Sequence, residues 1–116
     1  MQERRKNVRV RPSPDYDIKV EFEEGLVKVR LSIIDLAVGG VGVMVDDLFA
    51  SSPAGTPLHL TVTLPEFETF ATNATLRHST GQAGGRSGFH FAELTPEQQR
   101  AWSRAVSELL ERGLSA

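Results

Sequence analysis

The sequence predicts a mainly β fold: a small six-stranded antiparallel barrel covered by one C-terminal α-helix. Three observations carry that reading. From residue 16 apolar and polar residues alternate strictly, the pattern of half-buried strands. Glycine, proline and serine clusters break the alternation at intervals that suit turns. Near residue 95 the apolar period lengthens from two to that of a helix.

Tyr16, Ile18, Val20 and Phe22 alternate with Asp17, Lys19, Glu21 and Glu23, which gives the first strand. Glu24-Gly25 turns the chain. Val27, Val29, Leu31 and Ile33 then form the second strand, a hairpin partner of the first. Asp35 to Gly40 interrupts the pattern before Val41, Val43 and Val45 resume it as a third strand. Asp46 to Pro57 reads as loop or a short helical turn. Leu58, Leu60, Val62 and Leu64 mark a fourth strand. Phe70, Thr72, Ala74 and Leu76 mark a fifth. Gly81 to Gly85 is a turn, and Phe89 and Phe91 mark a short sixth strand.

Thr95-Pro96-Glu97-Gln98 has the form of a helix start, with a hydroxyl N-cap, proline at the first helical position and glutamine at the capping-box position. Ala101, Trp102, Ala105, Val106, Leu109 and Leu110 form one apolar stripe over a helix of about residues 95–112. Trp102 is its expected anchor. The stripe needs the mouth or side of the barrel to cover. The expected organisation is a basic, flexible arm over residues 1–14, kept extended by Pro12 and Pro14, followed by one barrel domain over 15–116.

Composition removes several function classes. There is no cysteine, so disulfides, cysteine metal sites and cysteine nucleophiles are excluded. The charged N-terminus is not a secretory signal, and the apolar run Leu36–Val45 is about half the roughly 20 residues that span a bilayer. A cytoplasmic protein without membrane attachment is expected. No serine has a recognisable base and orienting acid, so no enzymatic activity is expected. His59, His78 and His90 fall on three different strands, so no metal site is expected. Five basic residues against Glu3 give residues 1–11 a charge of +4, which leaves −6 on the rest of a chain of net charge −2. A basic arm on an acidic body suits one local anionic partner, although a solvated terminus has the same composition. It does not suit a nucleic-acid groove, which needs basic walls and exposed aromatics.

Two segments carry unusual residues. Arg5 and Arg9 present planar guanidinium forks that fit phosphate oxygens and the O6/N7 edge of guanine. Asp35 is an acceptor-only group that suits the N1–H and amino donors of guanine. Gly39 and Gly40 allow close approach to the main chain. Aspartate and glycine also suit a local turn or bulge. Gly39-Gly40-Val41-Gly42 is not a phosphate loop, because no Gly-Lys-Ser/Thr follows and the next segment is a strand. Arg77-His78 stands where it could approach the same edge.

Taken together, the Arg5-x-x-x-Arg9 arm and Asp35-Leu36-Ala37-Val38-Gly39-Gly40 resemble the PilZ domain family, with its Arg-x-x-x-Arg and Asp/Asn-x-Ser-x-x-Gly motifs. Gly88-Phe89-His90-Phe91 before Leu94-Thr95 and the helix extends the resemblance over nearly the whole chain. What the resemblance implies is a receptor for cyclic di-GMP, with no other cofactor. Arg5 and Arg9 would contact guanine and phosphate, Asp35 would read the guanine edge, and Gly39 and Gly40 would admit the ligand. Arg4, just before the first motif, implies two intercalated ligands in place of one. Ala37 departs from the family serine and removes a hydroxyl, a loss of about 0.5–1.5 kcal/mol. A receptor of one 116-residue domain is expected to act through a protein effector or through its own oligomerisation, such as a homodimer. The second reading is a PilZ-like interaction module that no longer binds cyclic di-GMP, with Ala37 as its mark.

Overall fold

The computed structural model of the protein describes residues 8–44, 53–79 and 85–116. Seven strands and one helix lie among them. They are β1 (Lys19–Glu24), β2 (Val27–Arg30), β3 (Ile33–Ala37), β4 (Gly40–Met44), β5 (Pro57–Thr63), β6 (Phe70–Ser79), β7 (Arg86–Phe91) and α1 (Pro96–Glu111). All pairs are antiparallel, in the order β2-β1-β5-β6-β7-β4-β3.

The end strands of that order, β2 and β3, are joined by only Leu31 and Ser32, so the sheet curls back on itself. Leu31 N–H donates to the Val20 carbonyl at 2.9 Å, and Met44 N–H donates to the Ser32 carbonyl at 2.9 Å. The joining dipeptide is thus bonded to residues of β1 and β4 at once. The protein is mainly β, as the alternation predicts, and its antiparallel sheet is curled into a half-barrel.

The strand count differs from the expected six. The run Val27–Ile33 is not one strand: the chain stays bonded to β1 through Leu31 and takes β4 as its partner from Ser32. Alternation continues across that exchange because it reports which side chains are buried, not which strand supplies the hydrogen bonds. Asp35 correspondingly lies within a strand and not in an interruption. A register shift between Ile33 and Asp35 places Asp35 opposite Gly42, and Asp35, Leu36 and Ala37 are buried in succession.

The core runs through the curled sheet to the helix. Val20, Leu36, Leu60, Val62, Leu76, Val41 and Val43 are among its fully buried sheet members, and Trp102, Ala105, Val106 and Leu109 close it from α1. The helix starts as its sequence predicts. Thr95 Oγ1 accepts from Gln98 N–H at 3.1 Å, and Gln98 Oε1 accepts from Thr95 N–H at 3.0 Å. That reciprocal pair satisfies two of the helix's orphan donors.

Val10 is fully buried and extends the sheet locally. It exchanges backbone hydrogen bonds with Leu36 at 2.9 and 2.8 Å. On its other side Arg11 N–H donates to the Leu114 carbonyl at 2.7 Å, and Ala116 N–H donates to the Arg9 carbonyl at 2.9 Å. Residues 9–11 therefore lie between β3 and the segment that follows α1. Arg112 also stacks over the Tyr16 ring, 5.1 Å from its centroid. Burial, with the Glu108 charge nearby, pushes the Tyr16 hydroxyl above the usual tyrosine range.

Candidate functional site

Asp35 is the centre of the site. The turn from β3 to β4 is tight, and the bulge in β3 buries Asp35 beside the first residue of β7. A buried carboxylate needs compensating donors. Arg86 supplies a fork, with Nη2 2.8 Å from Oδ1 and Nε 3.2 Å from Oδ2. Arg9 Nη1 donates to Oδ1 at 3.0 Å. The side chain of Asp35 is 10% exposed, that of Arg86 26% and that of Arg9 43%. Among the described residues two guanidinium groups share one carboxylate, and the more exposed of the two is Arg9.

Gly42 makes the room for this cluster. A Cβ there would stand 2.4 Å from Arg86 Nη2 and 2.5 Å from Asp35 Oδ1. In register Gly42 lies between Asp35 on β3 and Gly88 on β7, so the guanidinium crosses a strand with no side chain in its way.

The rest of the segment is braced from beneath. Trp102 Nε1 donates to the Ala37 carbonyl at 2.7 Å, and Gln99 Nε2 donates to the Val38 carbonyl at 3.3 Å. Ala37 is buried at 6% exposure. Gly39 is exposed beside the His90 ring, which lies 3.5 Å from where its Cβ would stand. Gly40 is buried, and its Cβ would meet the Phe89 carbonyl oxygen at 1.9 Å. That neighbour is strand backbone and cannot swing aside. Gly40→Ala is expected to cost about 2–3 kcal/mol through overpacking, read as a lower denaturation midpoint in urea.

Of the expected site residues, Arg9, Asp35, Ala37, Gly39 and Gly40 are gathered on one stretch of β3, the turn after it and the adjoining residue 9. Arg4 and Arg5 lie outside the described residues. Arg77 is exposed on β6. His59 and His90 lie on β5 and β7, with β6 between them. Among the described residues no group of three or more His, Asp or Glu side chains stands together as a metal site. No helix among them is long and apolar enough to cross a membrane. Sequence reasoning missed Arg86 and Gly42. One signal points to Arg86: an aspartate with apolar neighbours on both sides needs a cation, and Arg86 directly follows Gly84-Gly85, ahead of the sixth strand marked by Phe89 and Phe91.

A half-exposed guanidinium beside a fixed acceptor suits a flat, anionic ligand with donors on one edge. The model of the PilZ domain matches residues 3–108. The chain belongs to the PilZ domain family. Solved structures agree on the fold. The PilZ domain of YcgR from Escherichia coli, determined with c-di-GMP, superposes with a TM-score of 0.68 at 18% identity, covering 94% of each chain. The complex of MrkH from K. pneumonia with c-di-GMP gives a TM-score of 0.72 at 14% identity, over 92% of this chain and 53% of MrkH. The Bacillus subtilis inhibitor of motility MotI gives 0.67 at 20% identity, over 91% of this chain and 49% of MotI. This PilZ domain thus spans about half the length of MotI and MrkH. No curated protein sequence matches it significantly.

Proposed function

We propose that this PilZ domain binds cyclic di-GMP as a cytoplasmic, non-enzymatic receptor and passes the signal to a protein effector or through its own dimerisation. The observation that supports this most is the cluster of Arg9 and Arg86 about the buried Asp35 carboxylate, set at the family's second motif. Half-exposed Arg9 has donors to offer a phosphate or the guanine O6/N7 edge. Asp35 is an acceptor for the guanine amino edge. Arg5 would complete the arginine pair, Arg4 would favour a second intercalated ligand, and exposed Gly39 would let the ligand approach the turn, with Gly40 buried behind it. The c-di-GMP complexes of YcgR and MrkH add support from proteins of the same fold.

The second reading, an interaction module that no longer binds the nucleotide, is favoured by Ala37, which lacks the family hydroxyl. Magnitude decides against it. One absent neutral hydrogen bond is worth at most about tenfold in affinity, and the charged groups are retained.

Isothermal titration with cyclic di-GMP, with GTP and cyclic di-AMP as controls, tests the reading and counts the ligands bound. The expected result is saturable, guanine-specific binding. The double variant Arg5→Ala/Arg9→Ala is expected to lose at least about 2–3 kcal/mol of binding free energy, since charge-assisted bonds are the strong ones. Wild-type affinity in the double variant places the site elsewhere. No heat from the wild type at high micromolar nucleotide favours the interaction module.

A further inference from the structure

We infer that Arg86, lying over Gly42, is a positioning residue that sets which way the Asp35 carboxylate faces and thereby the preference of the site for guanine over adenine. The inference rests on the cyclic di-GMP reading above. Neither residue belongs to the two arginine and aspartate–glycine motifs.

An ionised carboxylate has about four acceptor positions. Arg86 takes one on each oxygen, at 2.8 and 3.2 Å, which fixes the plane of the group. Arg9 takes a second on Oδ1 at 3.0 Å. Among the described residues that leaves one acceptor position on Oδ2. A carboxylate held this way offers only lone pairs to a base edge. Guanine brings N1–H and a 2-amino group to that edge, and the open position on Oδ2 accepts one of the two. At those same two positions adenine brings the N1 lone pair and a C2–H, so it meets like with like there, and its only donor, the 6-amino group, lies at the far side of the edge.

Without the Arg86 fork the carboxylate is free to turn and to take Arg9 as its bidentate partner. Two functions would then fail together: the acceptor would leave the base edge, and Arg9 would be drawn off a ligand phosphate. Arg86 is the more enclosed of the two arginines, at 26% against 43% exposure, which suits action through Asp35. Gly42 is the structural condition for the fork. The atoms that a Cβ at residue 42 would strike are the ends of two side chains, Arg86 Nη2 and Asp35 Oδ1. A methyl group there would displace the pair while leaving the strand backbone in place.

The test is titration of the wild type, Arg86→Gln, Arg86→Lys and Gly42→Ala with cyclic di-GMP and with cyclic di-AMP, alongside their thermal midpoints. The wild type is expected to prefer cyclic di-GMP. Arg86→Gln and Gly42→Ala are expected to reduce that ratio of affinities about tenfold. Arg86→Lys keeps the charge and loses the fork, so it is expected to hold the thermal midpoint but not the ratio. A purely structural Arg86 would move the midpoints and leave the ratio alone. Folded variants with the wild-type ratio, or a wild type that binds both nucleotides equally, overturn this inference and spare the receptor reading. A wild type that binds neither overturns both.

Discussion

Trp102→Ala is expected to lower the folding stability of this PilZ domain by about 3–5 kcal/mol, the range for truncating a large buried aromatic. Trp102 is the largest of the fully buried side chains. It meets Phe91 edge-on, with ring centroids 4.8 Å apart and planes at 83°. Its indole N–H donates to the Ala37 carbonyl at 2.7 Å, so one residue joins α1 both to the core and to the strand that carries Asp35. Alanine removes the ring contact and the hydrogen bond together and leaves a cavity. For a domain of this size each kcal/mol corresponds to about 4 °C, so the midpoint should fall by roughly 12–20 °C. Trp102→Phe separates the contributions. It keeps most of the packing and loses the donor, and should cost only about 1–2 kcal/mol. Thermal melts followed by circular dichroism read both. A Trp102→Ala midpoint within a few degrees of wild type would mean that α1 is held by Ala105, Val106 and Leu109 without it.

Asp35→Ala is expected to destabilise the domain by about 3 kcal/mol and to abolish guanine-specific binding. Removing one partner of a buried ion pair costs about 3–5 kcal/mol, because the remaining charge is uncompensated. The lower end applies here, since Arg9 and Arg86 keep part of their surface in water. The loss has a repulsive component as well, for the two guanidinium groups that shared Oδ1 would face each other. Asp35→Asn keeps one acceptor oxygen and the shape of the side chain, so it should be milder. Combining Asp35→Ala with Arg86→Met removes both members of the pair and should recover part of the stability without restoring nucleotide binding. Urea denaturation of the three variants checks the order. An Asp35→Ala protein as stable as wild type would show that the cluster carries no net folding energy.

These two residues also mark how far the linear chain could be read. Trp102 was visible as an anchor because its neighbours on the stripe recur at helical spacing, and Thr95-Pro96-Glu97-Gln98 announces the helix through purely local chemistry. Both are properties of a few consecutive residues. Asp35 stands out for a similar reason: it is an acceptor where the alternation breaks, just before a Gly-Gly pair. The exchange of partners at Leu31-Ser32 was not visible, since the alternating pattern of Val27–Ile33 is the same whichever strand lies alongside. The role of Arg86 was hidden by distance. It is 51 residues from Asp35 and is brought there by the β3-β4-β7 pairing.

Periodicity, end signals and motif order thus suffice for the fold class, the helix and the family, because each depends on residues that are neighbours in the chain. Strand order, the burial of Gly40 against the Phe89 carbonyl, and the fork that Arg86 lays across Gly42 belong to the folded chain alone. They depend on which backbones lie side by side. A glycine in a sequence does not say what occupies the space its missing side chain leaves.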